Sequence, residues 1–159
     1  MLVYAVVIAA LVGLLIISFR ALSGGEVLTE ADYHTVLVSL ADFTSQRREE
    51  LSAGLAAGRP AGDTIDPAVE TAVAARKKLA GYQQQLARFE AGAERYEEAR
   101  GLLSAAIEDL GWACRMVEPG TYWDNPGIQE AVAALRSHGG RCLVQSQALL
   151  AGPPPAPAE

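Results

Sequence analysis

The sequence predicts an all-α protein, with one N-terminal transmembrane helix, a slender bundle of three or four helices and a disordered Pro-rich tail. Three observations support this fold class. Residues 2–19 carry no charged side chain, apolar residues of the body recur in steps of three and four, and β-branched runs outside the first segment are almost absent. The predicted boundaries are residues 1–20 for the anchor, 21–28 for a Gly-containing joint, 29–151 for the bundle and 152–159 for the tail.

The anchor is the uncharged run Leu2–Phe19, whose 18 residues span roughly 27 Å as a helix, enough to cross the hydrocarbon core of a bilayer. A signal peptide cleaved after residues 21–23 is the alternative, although no basic residue precedes the apolar run. A second transmembrane helix could pack on a strip of small residues spaced by four: Ala5, Ala9 and Gly13.

The charge distribution bears on orientation and partners. Arg20 directly follows the anchor, so the positive-inside rule favours a cytoplasmic body over a periplasmic or extracellular one in a single-pass protein of the cell membrane. Residues 1–19 carry no charged side chain, so the whole formal net charge of −6 lies in residues 20–159. Nucleic-acid binding needs clustered Lys and Arg, so the expected partners are the lipid bilayer and another protein or a second copy of the chain.

Capping signals place the starts of the helices in the body. Thr29 is the expected N-cap of the first helix, with Asp32 at position N3, and this helix is expected to end at Ala57. Two further helices are expected to start where an N-cap residue precedes a proline, at Asp66-Pro67 and Asn125-Pro126.

A stripe of apolar and small residues runs from Val69 to Val117. A first helix of about 28 residues would rise roughly 40 Å from the membrane, so a straight antiparallel return would reach the bilayer near residue 94. Residues 94–100 are highly charged, and hydrocarbon does not accept them. We therefore expect a kink or break near Gly92. In the last helix, Gly139-Gly140 is the expected weak point.

Cys114 and Cys142 are the only cysteines. If they lie on two helices joined by a connector at 118–124, a regular hairpin offsets them by about 20 Å along its axis. A disulfide requires Cα atoms within about 7 Å, so the bond is disfavoured unless the second helix ends near Gly111. Two reduced thiols are expected, as suits a cytoplasmic body.

The sequence predicts no enzymatic activity, no cofactor and no metal site. The two histidines, His34 and His138, lack metal-ligand spacing, and no Ser/His/Asp or Cys/His set is evident. A group of carboxylates is expected to form a solvated helix face: Glu90, Glu94, Glu97 and Glu98. Tyr122-Trp123 in the connector is either a cap on the core or a contact site for a partner.

The anchor followed by long Ala-rich helices resembles the architecture of LemA-type membrane proteins. It is also similar to type IV pilin-like subunits, except that Ala5 stands where they commonly carry Glu and that no strand is evident. The leading hypothesis is a non-enzymatic accessory or scaffold subunit of a membrane complex, acting through helix–helix packing. The alternatives are a pilin-like filament or secretion-system subunit, and a secreted helical binding protein released by signal cleavage.

Overall fold

The computed structural model describes residues 29–61, 65–88 and 94–152, and within these ranges it contains four α-helices and no strand. The all-helical prediction is therefore confirmed for this part of the chain. Short 3-10 helices at Glu94–Tyr96 and Tyr122–Asp124 precede the third and fourth helices. The α-helices are α1 (Glu30–Ala56), α2 (Pro67–Arg88), α3 (Glu97–Val117) and α4 (Pro126–Leu150).

Each helix runs antiparallel to its neighbours. The Arg100 guanidinium near the start of α3 donates to the Leu86 carbonyl near the end of α2, over 2.9 Å. His34 Nε2 near the start of α1 lies 2.9 Å from the Leu150 carbonyl at the end of α4. The helices thus form an up-down-up-down bundle. Its most extensive interface joins α3 and α4, and α1 closes the bundle against α2 and α4.

The predicted caps are confirmed. Thr29 Oγ1 accepts a 3.2 Å bond from the Asp32 amide and donates to the Asp32 carboxylate over 2.6 Å. Asp66 accepts from the amide two residues further on, over 2.8 Å, and Asn125 from the amide three residues on, over 3.2 Å. These bonds satisfy amides that have no partner inside the first turn of a helix, which is why the helices start where they do.

The stripe from Val69 to Val117 is divided between two helices that pack side by side. The α2 helix ends at Arg88 and α3 begins at Glu97, so the expected break is confirmed. Gly92 itself lies outside the described residues. The division brings the charged residues 94–100 to the start of α3, at the end of the bundle where α1 also begins.

The core consists of leucines and alanines from all four helices. Its largest fully buried apolar side chains are Tyr33, Leu37, Leu40, Leu51, Leu79, Leu103, Leu110, Leu143, Val117 and Val132. Three polar side chains are buried with them, and each has a partner: Thr44 bonds the Leu40 carbonyl over 2.6 Å, Ser146 the Ala99 carbonyl over 2.8 Å, and Arg47 pairs with Glu50 over 2.6 Å.

The expectation of a weak point at Gly139-Gly140 is wrong. The α4 helix is continuous through both residues, and both are buried. A Cβ at Gly139 would lie 3.1 Å from the Asp109 Cβ and 3.3 Å from the Ala106 carbonyl oxygen, and one at Gly140 would lie 2.9 Å from the Arg48 Nε. The missing side chains let α4 approach α3 and α1 closely, and this contact offsets the low helix propensity of glycine.

Among the described helices, none combines the length and the apolar character needed to cross a bilayer. The predicted anchor and its small-residue strip (Ala5, Ala9 and Gly13) lie outside the described residues, as do the joint at 21–28 and the tail beyond residue 152.

Candidate functional site

An open groove runs along the surface between α2 and α3, and we refer to it as the α2–α3 groove. It is formed by two adjoining cavities of about 460 and 420 Å³, which share Gln83 and Ala87 as lining residues. Leu79 and Ile107 line it but are only 2% exposed, so its accessible apolar surface comes from Ala80, Ala87 and Trp112. The groove therefore combines a few exposed apolar side chains with polar and charged ones, and it is open to solvent.

Small residues on α3 keep this groove open. A Cβ placed at Gly101 or Gly111 would meet no heavy atom within 4 Å, although both glycines line the groove. On the α2 side, Ala80 and Ala87 add only a methyl group each. Small residues at a helix surface allow the backbone of another helix to come close, so the groove has the shape of a helix-packing site.

An aromatic and a basic side chain lie together at one end of the groove. The Trp112 side chain is 47% exposed, and the Arg115 guanidinium carbon lies 4.7 Å from the centre of its ring. Arg76, on the opposite wall, pairs with Glu118, whereas Arg115 forms no ion pair with any residue that the structure describes. An exposed Trp beside an Arg is typical of the anchor residues of protein interfaces.

The connector residues Tyr122 and Trp123 pack inward and cap the bundle. Their rings contact each other edge to face with centres 4.9 Å apart, and both side chains are half-buried against the core. The Trp123 indole donates a 2.6 Å bond to Asp66, and Asp124 pairs with the exposed Arg59 at 2.6 Å. The contacts described here are thus internal, and a role in partner binding stays a prediction.

The two cysteines are free thiols, and both are buried. Ser146 bonds the Ala99 carbonyl across the α3–α4 seam, so the antiparallel register places Cys142 opposite the turn near Leu103. Cys114 lies about three turns further along α3, roughly 16 Å away. Burial, together with the nearby Glu118 carboxylate, raises the pKa of the Cys114 thiol to about 12.

A second group of polar side chains lies on the α3–α4 seam. His138 Nδ1 is 2.5 Å from Asp109 Oδ2, and the Cys142 sulfur is 3.9 Å from both ring nitrogens of His138. Sequence reasoning missed this Cys/His/Asp grouping, because Asp109 lies on a different helix, 29 residues from His138. The spacing of four between His138 and Cys142 was the only signal available, since it places both on one helix face.

The remaining predicted features carry ordinary structural roles. His34 lies against the Tyr96 ring with centres 5.6 Å apart and contacts the Leu150 carbonyl. Glu94, Glu97 and Glu98 are exposed, and Glu90 lies outside the described residues. Within the described ranges, no group of three or more His, Cys, Asp or Glu side chains is arranged to hold a metal ion.

The chain was compared with protein-family models, with curated proteins and with solved structures, and none of them matches it.

Proposed function

We propose that this chain is a non-enzymatic, single-pass membrane protein whose helical body serves as an accessory or scaffold subunit of a membrane complex. In this proposal Leu2–Phe19 is the anchor, and the body takes up a helix of another subunit in the α2–α3 groove. The observation that carries the proposal is the groove itself, because it is open to solvent, runs between two helices and is lined by small, apolar and charged residues.

The dimensions and charge of the groove favour a helix as the occupant. Its lining residues on α3 extend from Glu97 to Arg115, which corresponds to about 27 Å of helix and leaves room for roughly five turns of a partner. Ala80, Ala87 and Trp112 would contact apolar side chains of that partner. Arg115, which has no ion pair among the described residues, would pair with an acidic side chain of the partner.

The membrane anchor and a cytoplasmic body form the second part of the proposal. The supporting observations are the uncharged run of 18 residues, the single Arg20 at its end and the presence of two free thiols in the body. Cys142 lies beside the exposed His138 side chain, so the topology test uses a variant in which both native cysteines are replaced by alanine. An engineered thiol at the exposed Ala134 should react with a membrane-impermeant maleimide only after the cells are lysed. Reaction in intact cells would contradict the orientation.

The decisive variant fills the groove without disturbing the bundle. Gly111→Leu places a side chain where no heavy atom lies within 4 Å, and it replaces the residue of lowest helix propensity other than proline. We expect the full-length wild-type protein, solubilised in mild detergent, to migrate as a complex, and the Gly111→Leu variant to migrate as the free subunit.

Gly81→Leu is the matched control, because a Cβ at Gly81 also meets nothing within 4 Å and Gly81 does not line either cavity of the groove. This variant should keep the complex. A wild-type protein of strictly monomeric mass with no bound subunit would contradict the scaffold function, and equal behaviour of the two leucine variants would contradict the groove as the binding site.

A further inference from the structure

The polar cluster of Asp109, His138 and Cys142 connects two helices on the side of the bundle where α3 and α4 meet. Asp109 Oδ2 lies 2.5 Å from His138 Nδ1. The sulfur of Cys142 is equidistant from the two ring nitrogens, at 3.9 Å from each. A carboxylate, an imidazole and a thiol therefore follow one another in direct contact.

This order of groups has a definite chemical consequence. A thiolate is far more nucleophilic than a thiol, and a neighbouring imidazolium stabilises it. The Asp109 carboxylate fixes the orientation of the His138 ring through Nδ1. Nε2 is then the ring nitrogen that can accept the proton of the Cys142 thiol, whose sulfur lies 3.9 Å away.

Access to the sulfur is limited but present. The His138 side chain is 56% exposed, whereas Cys142 is only 6% exposed. A reagent therefore approaches the sulfur alongside the exposed imidazole. This geometry selects small reagents over proteins.

We propose that Cys142 is a thiol-exchange site that takes a low-molecular-weight disulfide, with Asp109 and His138 as its positioning residues. The Cys142 thiolate attacks one sulfur of the disulfide, and a new sulfur–sulfur bond forms as the old one breaks. His138 accepts the proton of the Cys142 thiol as the thiolate forms, and the leaving thiolate, which keeps the electron pair of the broken bond, then takes that proton from His138. Cys142 is thereby oxidised to a mixed disulfide, and half of the small disulfide is reduced to a thiol.

Cys114 provides an internal control in the same chain. It is fully buried, and none of its charged neighbours is a histidine: the charges that act on it are those of Glu118 and Arg76. Its thiol also stays protonated at neutral pH, because burial raises its pKa to about 12. The two cysteines thus differ in the features that the proposal invokes.

The test uses full-length protein in mild detergent, 2-hydroxyethyl disulfide as the probe, an acid quench and mass spectrometry of the cysteine-containing peptides. In the wild-type protein, Cys142 should form the mixed disulfide at least tenfold faster than Cys114. A rate for Cys142 that does not exceed that of Cys114 would overturn the proposal.

Two variants separate the effect of His138 on the reactivity of Cys142 from the effect of access to the sulfur. His138→Asn keeps an amide beside Asp109 but has no ring nitrogen to accept the thiol proton, and it should slow the reaction of Cys142 at least tenfold with an unchanged melting temperature. Asp109→Asn should lower the rate of Cys142 by a smaller factor. If His138→Asn lowers the melting temperature, the rate of the Asp109→Asn variant tests the role of the cluster instead. In urea, all variants should react alike. A folded His138→Asn variant that reacts at the wild-type rate would disprove the role of the cluster.

Discussion

The α3–α4 seam and the outer edge of the α2–α3 seam both contain helical glycines, yet the space beside the glycine is filled in the first and open in the second. At Gly139 the opposing helix comes so near that an added Cβ would lie 3.1 Å from the Asp109 side chain. At Gly111 the same added Cβ would touch nothing within 4 Å. The absence of a side chain therefore allows close packing in one seam and leaves space in the other.

The difference shows that the effect of a glycine depends on the partner helix that faces it. Opposite Gly139, α3 presents its own backbone at Ala106, and the gain in contact offsets the helix propensity that glycine lacks. Beside Gly111, no atom of α2 comes within contact distance of an added Cβ. The low helix propensity of this glycine is therefore not offset by any contact inside the described bundle. The same holds at Gly81, which lines neither cavity, so an open glycine by itself does not identify a binding surface.

The largest expected change in stability comes from replacing Gly139 and Gly111, one at a time, by leucine. Gly139→Leu should lower the free energy of unfolding by about 2–3 kcal/mol, because the side chain collides with Asp109 and the Ala106 carbonyl. Gly111→Leu should instead raise it by about 0.5–1 kcal/mol through helix propensity. Urea unfolding of the two variants measures both. Changes of the same sign would show that the seams do not differ.

A smaller change in stability tests whether water is excluded from the interior around Cys114, near the Arg76 end of the α2–α3 groove. The pKa of Cys114 is raised from 9.0 to about 12, so between these values its thiol is ionised only in the unfolded chain. The unfolded state gains stability as pH rises above 9, and the free energy of unfolding should fall by up to about 1.4 kcal/mol per pH unit. Cys114→Ala removes this contribution. Parallel pH profiles of the two proteins between pH 8 and 10.5 would contradict a buried, neutral thiol.

The smallest expected change in stability comes from replacing one serine of each seam by alanine. Ser146 is fully buried and bonds the Ala99 carbonyl over 2.8 Å, so Ser146→Ala should cost about 1 kcal/mol of stability. Ser104 accepts from Gln83 over 2.9 Å in the groove, where water can replace the bond, so Ser104→Ala should cost less than about 0.5 kcal/mol. Thermal unfolding ranks the two, and an equal loss would mean that water does not enter the groove.

The parts of the fold that depend on neighbouring residues were predictable from the sequence. Thr29, Asp66 and Asn125 each accept a hydrogen bond from an amide two or three residues further on, so their capping role can be predicted from the local sequence. The break between α2 and α3 was predicted from the charges of residues 94–100 together with the assumption of a membrane anchor, and that anchor lies outside the described residues.

The candidate sites were not predictable, because they depend on the register between helices. The sequence shows that Gly139 and Gly111 lack a side chain, but not which backbone faces them, so Gly139 was misread as a weak point. The contact between Asp109 and His138 likewise requires the α3–α4 register, and the α2–α3 groove requires the spacing of two helices that are joined through residues outside the described ranges.

The contact between His34 and Leu150 joins residues 116 positions apart, since the first helix of the bundle packs against the last. During synthesis, α1 therefore leaves the ribosome long before α4 exists. The Arg48 side chain and its neighbours on α1 have no Gly139-Gly140 surface to pack against until α4 has been translated. The bundle is completed by its final helix, and a nascent chain that stalls within α4 should present the α1 face to chaperones.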